Sequence, residues 1–260
     1  MAVDHADDET PIADLGLSRR GFLGGASLLL ASALAGCQSV SLPTTVGLPG
    51  QPPLPDEKFD YALAYAGRKD GEFEIPAIKY QNFDRKFWRQ VVHYPNDLDP
   101  GSIIVDPHNH FLYWTLGRDK ALRYGIGVGK AGFAWAGVAV IRMKQEWPRW
   151  FPPKEMIARR PELKKYDKEP MEGGPKNPLG ARALYLWQGN VDTLYRIHGT
   201  YEPDSIGRSV SSGCIRMWQQ DVIDLYQRVP MKTHVFVIGP DGSIPKAPPK
   251  PQDPVLTIPS

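Results

Sequence analysis

Cys214 lies in SVSSGCIRM, residues 209–217, and His198 lies sixteen positions upstream in YRIHGT. A thiol attacks carbonyl carbon well only as thiolate, and at its ordinary pKa of about 8.5 only a few per cent is ionised at neutral pH. An imidazole within hydrogen-bonding reach can take that proton. The segment between them, TYEPDSIGRSVSS, holds Pro203, Gly207 and four serines, so the chain can double back and bring the two groups together. Gly213 removes a side chain next to the thiol. The backbone N–H groups of Gly213 and Cys214 then suit an oxyanion hole. Arg216 shares a strand face with Cys214 if the segment is extended, and a guanidinium there suits a substrate carboxylate. By spacing alone, an inert buried thiol near an unrelated histidine stands as the other reading.

The elements that must position these residues are mostly strands. SIIVD and HFLYWTL flank the turn-forming PHN and predict a hairpin. LRYGIGVG alternates, with Tyr124, Ile126 and Val128 on one face. ARALYLW, a Gly189-Asn190 turn and TLYRIHG predict a second hairpin ending at His198. THVFVI is a late strand. QQDVIDLYQRV places Val222, Leu225, Tyr226 and Val229 at helical spacing, and Pro230 ends it. FDRKFWRQVV suggests a short helix. The expected fold is therefore mainly β, a sandwich or barrel-like domain with one or two short helices.

Residues 142–178 interrupt that pattern, with PKEMIARRPEL as a helical turn or two. So long an excursion predicts an inserted lid loop. Trp147, Trp150 and Phe151 are expected to meet something there. The expected division is an export signal over 1–36, a tether over 37–57 and an N-terminal extension over 58–100. A catalytic domain over 101–239 and a Pro-rich tail over 240–260 follow.

Two other signals are set aside. GVGKAG matches a dinucleotide-type glycine pattern, but FAWAGVAVIRM after it lacks a helical stripe. Asp106, His108 and His110 form a turn with nothing nearby to complete a metal-ligand set. His93 and His234 read as packing or surface residues. Lys and Arg total 31 against 29 Asp and Glu, so no broad basic face for nucleic acid is expected. No cofactor or metal is expected.

The N-terminus resembles a twin-arginine export signal. Arg19 and Arg20 are framed by Ser18, Phe22 and Leu23 and followed by a short apolar run. Leu34-Ala35-Gly36-Cys37 resembles a bacterial lipobox, which implies cleavage before Cys37, lipid on its sulfur and membrane anchoring of a periplasmic protein. The chain has two cysteines. With Cys37 lipidated, Cys214 is left as the thiol of the folded body, and no disulfide can form within it.

IHGTYEPDSIGRSVSSGCIRM resembles the signature of the L,D-transpeptidase family with its YkuD-type catalytic domain. NPLGARAL (177–184) and GSIIVDPHNHFLYW extend the likeness over roughly residues 100–239. The resemblance implies a β-sandwich-like domain acting on peptidoglycan stem tetrapeptides. Cys214 would attack the carbonyl of the third residue, usually meso-diaminopimelate, and expel the terminal D-alanine. An amine of a neighbouring stem would resolve the thioester as a 3→3 cross-link. His198 matches the base, and Ser211, Gly213, Cys214 and Arg216 match the remaining motif positions. Carbapenem-type inhibitors are expected to acylate the thiol. Tyr185 and Trp187 would line the groove. Ser212 stands where many members have a second histidine, and Gly199 stands where some have serine. A third, orienting member would then be a backbone carbonyl. A carboxypeptidase, a D-amino-acid exchanger, a protein-to-wall ligase and a non-catalytic wall-binding lipoprotein are the alternatives.

Overall fold

The computed structural model describes residues 59–129, 135–211 and 213–246. The expected export segment, Cys37, the tether up to residue 57, Ser212 and the last residues of the tail lie outside them. In chain order the elements are α1 (Tyr61–Ala64), β1 (Arg68–Asp70), β2 (Phe73–Ile75), β3 (Gln90–His93), β4 (Ile103–Asp106), β5 (Phe111–Gly117), β6 (Lys120–Gly125) and β7 (Val128–Gly129). They continue with β8 (Gly137–Glu146), α2 (Lys154–Arg159), β9 (Arg182–Gln188), β10 (Val191–Thr200), β11 (Ser209–Ser211), β12 (Ile215–Trp218), α3 (Gln219–Arg228) and β13 (His234–Val237). The protein is mainly β with short helices.

Nine strands form one sheet among the described residues, in the order β12-β10-β9-β8-β13-β4-β5-β6-β3. Neighbours are antiparallel except β10–β12 and β13–β4. The sheet curls back on itself. Gly127 N–H donates to the Arg216 carbonyl (2.9 Å) and Arg216 N–H to the Gly127 carbonyl (2.7 Å), which ties the β12 edge to the chain just after β6. A curled sheet leaves less open edge, which is the barrel-like expectation in physical form.

Strict alternation explains the two faces. Ile103, Val105, Leu112, Trp114, Leu122 and Tyr124 point inward and pack around Val222, Ile223 and Leu225 of α3. Ile104, Phe111, Tyr113 and Phe236 point the other way into a second cluster. Each fully buried aliphatic side chain contributes about 1.5–3 kcal/mol. The β4–β5 hairpin forms as the sequence predicts. Asp106 Oδ1 accepts from His108 and Asn109 N–H, an Asx-type turn that reverses the chain.

Two elements differ from expectation. FDRKFWRQVV yields only a 3-10 turn at Arg85–Phe87 and then β3, whose Gln90-Val91-Val92-His93 pairs with β6. Its β-branched pair fits the pleat of an open sheet edge, and that tertiary pairing overrides local helix preference. Residues 142–146 belong to β8, paired down to Glu146 opposite Arg182. The register shifts between Ile141 and Met143, which breaks the alternation that would have revealed this strand. The excursion therefore begins at Trp147.

The N-terminal extension, given no role by its sequence, braces the β12–α3 junction. Tyr65 and Phe83 pack edge-on against Trp218, and Tyr61, Tyr80 and Trp88 complete the same aromatic cluster. Gln220 Nε2 donates to the Ala66 and Pro76 carbonyls. Arg89 reaches under α3 to Asp224 (2.7 Å), which also accepts from Tyr124 Oη (2.6 Å) and from Arg228. Asp221 beside it is fully buried, and burial pushes its carboxyl up to about 7 against the pull of Arg89. Among the described residues no helix is long and apolar enough to cross a membrane.

Candidate active site

β10 and β12 run parallel, with Ile197 opposite Ile215 and His198 opposite Arg216. Registered partners face the same side of a sheet, as do residues two apart along a strand. Ile197, Ile215 and Met217 enter the core, so His198, Arg216 and Cys214, which directly precedes β12, take the other side. His198 on β10 and Cys214 just before β12 thus come from adjacent strands. Both side chains line a single cavity of about 640 Å³.

His198 Nδ1 is 2.7 Å from the Gly199 carbonyl oxygen. A carbonyl only accepts, so a ring hydrogen sits on Nδ1. That contact fixes the orientation of the ring. Gly199 is required by packing: a Cβ there would run into Gln219 Oε1, which accepts from Ala181 N–H (2.9 Å). Gly199 thus enters the site through its carbonyl. Gly213 has φ 140°, a conformation that side chains resist, and this bends the chain just before the thiol.

Cys214 is part-buried, and its Sγ lies 3.9 Å from the Leu194 carbonyl. That carbonyl is presented by a bulge. Asp192 pairs with Trp187 and Arg196 with Tyr185, so four positions on β10 answer two on β9. Leu194 has φ 62°, which costs an ordinary L-residue about 1–3 kcal/mol unless its surroundings hold it there. They do: Leu194 N–H donates to Asp192 Oδ1 (2.9 Å), and Thr193 Oγ1 donates to the Leu186 carbonyl (2.6 Å).

Two arginines flank the thiol, each with its own carboxylate. Arg196 forms a two-point pair with Asp192 (2.7 Å each) and lies over the Tyr185 ring. Arg216 Nη1 contacts Glu202 Oε2 at 2.5 Å. Burial pushes His198 down to about 4; hydrogen bonds to the Gly199 and Leu179 backbones oppose this, and Arg216 and Arg196 reinforce it. Burial likewise raises the Cys214 thiol, and the Arg196 backbone and the two positive charges offset this only in part. At rest the thiol and the imidazole bordering this cavity are therefore both neutral. No thiolate–imidazolium ion pair is stored beforehand, so the thiol proton has to move during attack.

The excursion after β8 forms the facing wall. Trp150, Met156, Arg160, Leu163 and Met171 border the cavity from that side. Its base is stapled by buried Asn177, whose Nδ2 donates to the Pro148, Met171 and Glu172 carbonyls. Trp147 turns inward onto Phe73 (4.4 Å) and donates to Asp70, while Phe151 is exposed.

A family comparison matches residues 100–237 to the YkuD L,D-transpeptidase catalytic domain. The chain belongs to this L,D-transpeptidase family. It is 28% identical over 224 residues to the probable L,D-transpeptidase ErfK/SrfK of Salmonella typhimurium, covering 80% of this chain and 70% of that protein. The Escherichia coli protein of the same name is 32% identical over 163 residues, 57% of this chain and half of its own length. Among solved structures, one from Brucella melitensis, described as a probable carnitine operon oxidoreductase, is 50% identical. It covers 58% of this chain and 94% of that one, with a TM-score of 0.43. An L,D-transpeptidase from Mycobacterium smegmatis is 19% identical over 52% of this chain and 57% of its own, with a TM-score of 0.38.

Within this transpeptidase domain the cavity gathers Cys214, His198, Gly213 and Arg216. Tyr185 and Trp187 share the sheet face but are not among the residues bordering it. Arg196 covers the Tyr185 ring, whose hydroxyl donates to Gln145 Oε1 (2.6 Å), and Trp187 lies under Arg142. Ser211 is placed by backbone pairing with Gly129, and Ser212 lies outside the described residues. His108 and His110 are engaged elsewhere, with Gly239 and Ser209. Sequence reading missed Arg196, Glu202 and the Leu194 carbonyl. The alternation Arg196–His198 signalled the first. Nothing in the residue types signals a bulge.

Proposed function

We propose that this transpeptidase is an exported, lipid-anchored enzyme that forms 3→3 cross-links between peptidoglycan stems through a Cys214 thioester. The observation that carries the reading is the meeting of Cys214 and His198 in one cavity of a family catalytic domain. His198 takes the thiol proton as sulfur attacks the carbonyl of the third stem residue. The developing oxyanion is met by backbone N–H groups at Gly213 and Cys214. Collapse breaks the amide, and His198 returns the proton to the departing D-alanine amine. The side-chain amine of a second stem then attacks the thioester, one amide being exchanged for another with no nucleotide required. Cys37 carries the lipid, and the twin-arginine segment directs export to the periplasm. Incubation with purified disaccharide-tetrapeptide tests the reading. A product of twice the donor mass less one D-alanine supports it. Tripeptide alone, exchange of the terminal D-amino acid or lysine-linked protein would reassign the acceptor. No product at all would leave a wall-binding lipoprotein.

We propose that the wall formed by the excursion serves as a lid. Its apolar residues would shield the thioester from water, so that an amine resolves it. Replacing residues 154–166 with a short Gly-Ser link should raise tripeptide relative to cross-linked dimer severalfold. An unchanged ratio removes the lid role.

Arg216→Lys keeps the charge but loses the planar fork. Its catalytic efficiency should drop by roughly 10–100-fold, mostly through KM, the size expected for a charged hydrogen bond. Steady-state kinetics with tetrapeptide donor measures this, and full efficiency would put the carboxylate contact elsewhere.

A further inference from the structure

The Arg216–Glu202 pair sits on the border of the cavity that holds Cys214. Its partners are unequally placed: the Arg216 side chain is 19% exposed and that of Glu202 71%. The Glu202 backbone is held firmly. Its N–H donates to Thr200 Oγ1 (3.0 Å), and its carbonyl accepts from Ser205 N–H (2.9 Å) and Oγ (2.6 Å). The turn at Pro203–Ser205 is tied in turn to Trp218 Nε1. An ion pair this open contributes only about 0–1 kcal/mol to folding, so stability does not explain a carboxylate presented from a fixed turn.

Charge around the cavity points to a ligand. Among the described residues bordering it, Glu202 is the one carboxylate, against Arg160, Lys176 and Arg216. A cationic group entering there has a single anionic partner. Arg216 has further N–H donors beyond Nη1, and the Glu202 carboxylate has a second oxygen beyond the one that contacts Arg216. Side by side, they complement a ligand that carries an ammonium and a carboxylate on one carbon.

Resting on the peptidoglycan reading above, we propose that Glu202 and Arg216 together select a zwitterionic α-amino-acid terminus on the third stem residue. Glu202 takes the ammonium and Arg216 the carboxylate, and their mutual contact loosens as the ligand enters. Diaminopimelate has such a terminus. Lysine offers only the ammonium, and amidated diaminopimelate also lacks the carboxylate.

The test is calorimetric binding to the mature Cys214→Ala protein, which holds stem peptides without turnover. Three soluble disaccharide-tetrapeptides are compared, with diaminopimelate, its amidated form or lysine at the third position. The diaminopimelate ligand should bind roughly tenfold or more tighter than the other two. Adding Glu202→Gln should erase most of that preference, and Glu202→Asp should restore part of it. The melting temperatures should match, since Glu202 is exposed. A preference that survives Glu202→Gln overturns the assignment. Equal binding of all three ligands overturns it while leaving the peptidoglycan reading standing. Binding of none overturns both.

Discussion

The Cys214→Ala protein gains no mass from a carbapenem, whereas the parent gains that of one intact inhibitor. Opening a β-lactam ring on a nucleophile adds the whole molecule with no leaving group, so the mass shift counts acylated sites directly. A single adduct is expected because the described residues contain one cysteine, in the cavity with His198, and Cys37 is proposed to carry lipid. The same substitution should abolish release of D-alanine from stem tetrapeptides, because every proposed outcome passes through one acyl-enzyme. The small change in volume at a part-buried site leaves folding intact, which an unchanged thermal melt would show. An adduct that persists in Cys214→Ala would place the nucleophile elsewhere and end the thioester reading, whatever the family.

His198→Gln should retain the fold and lose about 10²–10⁴-fold in catalytic efficiency, the range for a removed general base. Its pH profile distinguishes loss of a base from mere disturbance. In the parent, burial pushes His198 down to about 4, so it is neutral across pH 5–8, and the rate should be nearly flat there. The variant has no internal acceptor, and its residual rate should climb steadily with pH as the raised thiol ionises. A flat profile in both proteins would mean that His198 does not take the proton.

Stability carries the same signature. The folded His198 pKa lies below the ordinary 6.5, so between about 4 and 6.5 the unfolded chain binds the proton that the folded one refuses. Stability from this residue is therefore complete above pH 6.5, falls by roughly 3 kcal/mol in total as the pH drops from 6.5 to 4, and levels off below that. Denaturant melts at pH 7 and pH 4 should show a smaller acid loss in His198→Gln than in the parent.

The strands were readable where alternation was unbroken. Ile103–Asp106 and Phe111–Gly117 declare themselves, as do Tyr124, Ile126 and Val128, because each face of a pleated strand meets a different medium. Reading failed where a neighbour distant in the chain decided the outcome. Gln90–His93 became a strand because β6 offered an open edge, and residues 142–146 hid behind a register shift. Tyr185 looked like a groove residue by its place on the strand, but Arg196 covers it.

The amino-acid sequence alone determined the reactive groups and their order along the chain: a thiol after glycine, a histidine before a glycine, and an arginine two positions past the thiol. It also determined most strand periods, since those depend on residues a few positions apart. Tertiary structure decided which of these groups meet. The parallel register of β10 with β12 put His198, Arg216 and Cys214 on one face. Burial summed over distant segments made both the thiol and the imidazole neutral at rest. The pairing of Arg216 with Glu202 and the wall carrying Trp150 arise in the same way. Register and desolvation are properties of the assembled chain, set by contacts between residues far apart in sequence, and no local pattern encodes them.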